Sequence, residues 1–256
     1  AFIGANGPYW TDTNDNHSVD AGELNSSSIG FHITDFDMGL MLMASVNPTD
    51  LGVYLAAKAS VHSFGLIGID ILTATGKFDL ALNVGLGTSG LAVVDFEASF
   101  PDTDGDGTDD QTGFEVNTGD PTSPVVLDFN QFLISFQLGG IVTIYADTSQ
   151  STPIFRLNGL LLFEVDNTGL KAFVAAGLEF GPDIGSSNKL FDMNALGGLV
   201  INASGIAADI DVSVSVGGAL SSVLSFNASA RLVFNTTGVD QTITIPERYV
   251  EFLEGT

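Results

Sequence analysis

The chain contains no cysteine, which removes disulfides, thiolate metal sites and cysteine nucleophiles together. Positive charge is almost as scarce. Only 7 Lys and Arg stand against 31 Asp and Glu, a formal net charge of −24. Nucleic acid is thereby excluded as a partner, since phosphate binding needs a basic surface. An anionic membrane surface is disfavoured on the same ground. Charged residues of both signs reach only 15%, below the usual quarter. One Trp and four Tyr are too few for the aromatic girdles of an outer-membrane β-barrel. They are also too few for the aromatic-lined cleft of a paired-carboxylate glycoside hydrolase, so these two readings rank last. The longest charge-free stretch, residues 212–230, alternates as a strand does, and no membrane insertion is expected.

Catalytic machinery is missing as well. The three histidines, His17, His32 and His62, are scattered and read as loop or strand residues. There is no G-x-S-x-G elbow, no zinc pattern and no glycine-rich loop leading into a helix. No catalytic residue is assigned, and the chain is not expected to be an enzyme.

What is present is alternation. Phe78, Leu80, Leu82 and Val84 share one face against Asp79, Ala81 and Asn83. Phe132, Ile134, Phe136 and Leu138 oppose Gln131, Leu133, Ser135 and Gln137, and Ile210, Val212, Val214 and Val216 oppose Asp209, Asp211, Ser213 and Ser215. Leu224 through Phe234 keeps one apolar face for longer than an ordinary strand. Period two of this kind predicts an all-β protein of antiparallel strands, with phenylalanines in the core and the small polar face wetted. Long hairpins forming a sandwich, a rolled sheet or a solenoid-like rod satisfy the pattern equally. Glycines at Ser89-Gly90, Thr168-Gly169, Ser204-Gly205 and Thr237-Gly238 supply hairpin turns. Leu138-Gly139-Gly140-Ile141-Val142 is echoed by Leu196-Gly197-Gly198-Leu199-Val200, a weak internal repeat. The polar stretch 101–124 reads as a loop within one unit spanning 1–256. Pro246 opens a short helix over Glu247–Leu253.

Two acidic loops carry the chemistry. From Asp12 to Glu23, oxygen-bearing side chains fall at positions 1, 3, 5, 9 and 12 of an EF-hand schedule: Asp12, Asn14, Asn16, Asp20 and Glu23, with Ser18 offering a carbonyl. His17 replaces the usual glycine at position 6, and His tolerates positive φ better than most residues. The second loop places Asp102, Asp104, Asp106, Thr108 and Asp110 in a D-x-D-x-D-G pattern. Its twelfth place is Gly113 and not Glu, so Asp110 at position 9, with Glu115 or another residue beyond the loop, would have to finish the coordination. Both spacings predict Ca2+. No helix flanks either loop, so they read as clips between strands and not as paired sensors. Weak calcium loops and a cysteine-free acidic chain imply an extracellular setting. Starting at Ala1 without an initiator Met, the chain is expected to be a processed product or a segment of a longer polypeptide.

Phe2-Ile3-Gly4-Ala5-Asn6-Gly7-Pro8-Tyr9-Trp10, followed at once by a calcium loop, resembles a repeated segment of giant secreted surface proteins of planctomycete-type bacteria. The closing Val233-Phe234-Asn235-Thr236-Thr237-Gly238 and Ile245-Pro246-Glu247-Arg248-Tyr249 resemble another. The resemblance implies one unit of a long, calcium-loaded bacterial cell-surface polypeptide. The functional expectation is a structural repeat of a surface fibre, matrix or adhesin, packing head to tail against neighbouring copies. The alternative is a calcium-dependent carbohydrate-binding β-sandwich, with surface glycans as partners.

Overall fold

The computed structural model describes residues 1–16, 19–88, 90–100, 112–119, 124–182, 184, 189–218, 220 and 222–253. The chain is all-β. It opens with β1 (Phe2–Ala5), β2 (Ile29–Asn47), β3 (Asp50–Ile67) and β4 (Leu72–Gly87), and β5 (Gly90–Leu91) turns back briefly along β4. A small separate hairpin follows, β6 (Phe114–Val116) with β7 (Val125–Leu127). The main sheet then resumes with β8 (Leu133–Tyr145), β9 (Pro153–Asp166), β10 (Gly169–Phe180), β11 (Phe191–Asn202), β12 (Gly205–Val216) and β13 (Asn227–Asn235). Every pairing is antiparallel, in the order β1-β2-β3-β4-β8-β9-β10-β11-β12-β13, giving an 11-stranded sheet with β5 included. Of the three architectures compatible with the sequence, this is the rolled sheet, and it does not close into a barrel. The strand expected from Leu224 begins only at Asn227.

The hairpins are set by side chains as well as by glycine. At the β9–β10 turn Asp166 accepts hydrogen bonds from the Thr168 amide at 2.7 Å and from its hydroxyl at 2.6 Å. Asn202 and Asn235 cap the turns ahead of Gly205 and Gly238 in the same way. Such side chains mimic a backbone turn and fix its direction. Gly169 itself has φ +146°, and an added Cβ would lie 2.0 Å from the Ile201 carbonyl oxygen. Two irregularities occur side by side: Asp35 in β2 has φ +49°, and β3 shifts register between Val61 and Phe64. Together they keep Ile33 and Phe36 of β2, and Val61 and Phe64 of β3, on one face.

The core lies on the unexpected face. Two clusters of buried side chains occur, one around Leu160, Leu162, Phe173, Tyr249 and Phe252, the other around Ala56, Phe96, Leu127 and Phe129. Both lie on the face that carries Asp79, Asn83 and Ser135, the mixed polar face. The covering elements are the 3-10 helix Glu247–Leu253, found where the sequence placed it, and the β4–β8 connection with its short helix Phe96–Ser99 and the β6–β7 hairpin. The opposite, apolar face has no covering element among the described residues. This corrects the expectation that the alternating phenylalanines form the core: Phe36 is 53% exposed and Phe180 46%. Alternation tells two faces apart, but the position of the covering segments decides which is buried.

Candidate functional site

Three features could carry function: the 12–23 loop, the polar face beneath the C-terminal strap, and the bare apolar face.

The loop is closed at its neck. Glu23 Oε1 accepts the Thr13 amide and hydroxyl, each at 2.7 Å, and Oε2 accepts the Trp10 indole N–H at 3.0 Å. These donors, the Thr13 hydroxyl first, hold the carboxyl down at about 2. Trp10 also bridges to Leu24 as an isolated antiparallel pair, so the loop hangs from a short ladder. Inside it the Asn14 and Asn16 amides both donate to Asp20 Oδ2 at 2.9 Å. The Asn16 N–H points to Asn14 Oδ1 at 3.0 Å and to Asp12 Oδ1 at 3.3 Å. Four expected ligands, Asp12, Asn14, Asn16 and Asp20, thus face one another, and half a turn of each amide would present its oxygen instead. The donor set is all oxygen, which suits a hard cation such as Ca2+. No group of three His, Asp or Glu side chains is arranged to hold a metal among the described residues. Glu23 is occupied by Trp10 and Thr13, a contact that loop spacing alone does not reveal. A one-turn 3-10 helix, Ala21–Glu23, closes the loop, and no longer helix flanks it. Ser18 and the whole second set, Asp102, Asp104, Asp106, Thr108 and Asp110, lie outside the described residues.

On the polar face a strap runs across the strands. Gln241 lies against Asn202 of β11, Ile243 sits over Gly198, and Phe252 sits over Gly139. The two glycine-pair echoes of the sequence are therefore footprints of the strap: Gly139 and Gly198 leave room for its apolar side chains. Arg248 binds Asp79 at 2.7 Å and the Ser60 hydroxyl at 3.0 Å, and the Tyr249 hydroxyl donates to Asp79 at 2.8 Å. Burial, and then the hydrogen bond to the Asp79 carboxylate, raise the phenol far above its ordinary range. Asn158, buried, donates to the Phe252 carbonyl. Under the other cover Asn83, fully buried, donates to the Val94 and Gln131 carbonyls at 2.8 Å each. Buried polar groups of this kind cost stability unless paired, and here each is paired to the segment that covers it. Asp79 and Arg248 were not singled out from the sequence. The signal was a lone acid between apolar neighbours in β4 and a lone Arg after Pro246.

Beyond the strap an open cleft of about 710 Å³ runs beside β11–β13, lined by Asn194, Asp209, Asp211, Arg231 and Asp240 among others. Arg231 grips Asp209 through both carboxylate oxygens at 2.9 and 2.6 Å, which closes off the one cation in that lining. His32 stacks on Tyr9 with ring centroids 4.8 Å apart, and burial lowers its pKa. His62 is exposed in β3 and lines an open cleft with Lys77, Glu251 and Phe252, which His32 does not enter.

The apolar face is the largest feature of the molecule. Following the register across β2, β3, β4 and β8–β13, every regularly alternating position on it is Gly, Ala, Val, Leu, Ile, Met or Phe. No hydrogen-bonding side chain interrupts it. Leu161 is open at 40% and Val174 at 48% exposure, with Leu42 at 72% toward one end, while the smaller Ala57, Ala59 and Val61 on the same face are buried. Soluble monomers rarely expose a contiguous apolar patch larger than a few hundred Å². No helix is long and apolar enough to cross a membrane among the described residues. Compared with known protein families, curated proteins and solved structures, the chain finds no match in any of the three.

Proposed function

We propose that the chain is a structural unit of an extracellular bacterial surface assembly, joined head to tail through the edges of its sheet and stiffened by calcium. The observation that carries this reading is the open sheet with long bare edges at both ends. Among the described residues β13 pairs only with β12, and all nine of its residues are exposed. It holds no Pro, and its single charge, Arg231, is tied to Asp209. At the other end β1 covers only the first residues of the 19-residue β2, leaving its outer edge from Thr34 onward without a strand partner among the described residues. Unpaired edges of this length template further pairing, and proteins that avoid it blunt them with charge, Pro or bulges. Pairing β13 of one unit with β2 of the next is heterologous, and heterologous contacts that do not close give open filaments. Asp12, Asn14, Asn16 and Asp20 would hold the calcium ion, which would order the loop that joins β1 to β2.

Calcium-dependent polymers should form from the purified chain and be visible by light scattering and electron microscopy. Ser229→Lys combined with Val233→Lys puts like charges on the edge strand and should abolish them while leaving the fold intact. Polymers that persist in this variant would refute edge pairing.

A further inference from the structure

The apolar face is a surface separate from the edges, and it must be covered by something. We infer that a second copy of this chain covers it, the two sheets packing face to face about a two-fold axis. Area argues for it. Nine strands at about 4.8 Å spacing and about twelve residues at about 3.3 Å rise give about 1,700 Å² per copy. With only half of this outline in contact, as the curvature of a rolled sheet allows, the pair would still bury about 1,700 Å², the size of a stable interface. A face meeting itself is the isologous contact that two-fold dimers use, and two sheets pack about 10 Å apart in this way.

A bilayer fits the face poorly. From Ile29 to Val46 the apolar side of β2 is about 56 Å long at about 3.3 Å per residue, while the 12-residue β10, β11 and β12 span about 40 Å, so the face does not match a hydrocarbon layer of one thickness near about 30 Å. No Tyr or Trp lies on this face to mark an interface: Tyr54 and Tyr145 belong to the opposite one, Tyr9 stacks there on His32, Tyr249 belongs to the strap and Trp10 to the loop. The net charge of −24 opposes anionic headgroups as well.

The face also has relief. Gly76, Gly140, Gly159, Ala176 and Ala195 are direct cross-strand partners from β4 to β11; the Phe64 ring lies over Gly76, and from Gly140 to Ala195 the row forms a furrow running across the strands. It is bordered by Leu138, Leu161 and Val174 on one side and by Val142, Leu157 and Leu178 on the other. At Gly159 an added Cβ would meet nothing nearer than the Ala175 carbonyl at 3.7 Å, so no contact within the chain calls for a glycine there. A ridge of large side chains from the facing sheet would fill the furrow and set the register of the pair.

The test is sedimentation equilibrium on the full chain with the edge variant Ser229→Lys/Val233→Lys as background, so that face pairing is read without filaments. The expected mass is twice 26.6 kDa. Leu161→Glu with Val174→Glu, both open to water in a single copy, should return it to the single mass with unchanged far-ultraviolet circular dichroism. Leu196→Glu, equally open at 43% but on the polar face, should leave the dimer intact. Because the chain has no cysteine, Val174→Cys gives a single thiol. Its maleimide labelling should be lost as protein concentration passes the midpoint of the mass change, which holds the proposal testable even where the double Glu variant misfolds. A single-mass protein whose thiol labels freely at every concentration overturns the inference. So does protection that appears only with neutral phosphatidylcholine vesicles, which would assign the face to lipid. Loss of filaments alone in the background variant leaves this result readable, so the two proposals fail separately.

Discussion

Phe252 and Gly139 should behave as one unit, and a double-mutant cycle measures it. Phe252 is 2% exposed and lies on Gly139, where an added Cβ would come within 2.1, 2.5 and 2.8 Å of three ring atoms. Truncating the ring, Phe252→Ala, removes a buried aromatic and should cost about 3–5 kcal/mol. Gly139→Ala forces the ring off the sheet, an overpacking cost of about 1–3 kcal/mol. Once the ring is absent that clash has no partner, and Gly→Ala within a strand then gains about 0.5–1 kcal/mol. The double variant should therefore be no less stable than Phe252→Ala alone, with a coupling of about 1–3 kcal/mol. Urea unfolding at one fixed protein concentration gives the three free energies, and amide exchange over residues 247–253 reports whether the strap has lifted. Costs that simply add, within about 0.5 kcal/mol, would show that Phe252 does not rest on Gly139 and would refute the strap's placement.

Other outcomes follow from the same geometry. Asn83→Ala removes the amide that pins both ends of the β4–β8 connection and strands two buried carbonyls, a loss of about 2–4 kcal/mol by denaturant titration. Lys189→Met leaves Glu179, 5% exposed and bound to Lys189 at 2.7 Å, with only Arg156 at 3.9 Å; a destabilisation of about 3–5 kcal/mol is expected, and Glu179→Gln in the same chain should recover part of it. Calcium should raise the melting temperature, and Asp20→Asn should abolish that rise; an equal rise in the variant would detach calcium from the loop. In calcium-free buffer the carboxyl of Glu23 is lowered from 4.5 to about 2, so its contribution is complete above pH 4.5 and disappears as pH falls toward 2. The Trp10 fluorescence should report this opening, and Glu23→Gln should flatten the profile. His32 is depressed below 6.5 by burial, so its neutral form favours the fold and stability declines as pH falls below 6.5, a slope His32→Gln should remove.

The strands were legible because period two is enforced over long stretches, and the pairs Phe78/Asp79 and Val212/Asp211 fall on opposite faces as read. The covered face was not legible. Tyr249, Phe252, Phe96 and Leu127, which bury the polar side, sit in short irregular segments without periodicity, and their partners are long-range, as in the Arg248–Asp79 pair. Only the glycine-pair echo pointed there, and it registered as a repeat and not as a contact. In the turns, glycine was read correctly, while the capping carboxylate or amide two or three residues ahead, Asp166, Asn202 or Asn235, completes the motif. The 12–23 loop was legible because ligand spacing is local. Its closure by Trp10 depends on the β-bridge to Leu24, which spacing does not encode.

The double irregularity at Asp35 and at Val61–Phe64 bears on how such a chain can change length. In a strand read two residues at a time, one inserted residue is a frameshift: downstream of it every side chain swaps sides. Each extra residue here is instead bulged out of the alternation, so deleting Asp35 would leave Ile33 and Phe36 two positions apart and still on the same face. The neighbouring strand carries its own extra residue at the same level, so β2 and β3 stay in register through the irregularity and the shift is taken up between β3 and β4. An insertion in this sheet is therefore tolerated where it can be bulged out of the alternation, and a matching one on the next strand keeps that pair in register.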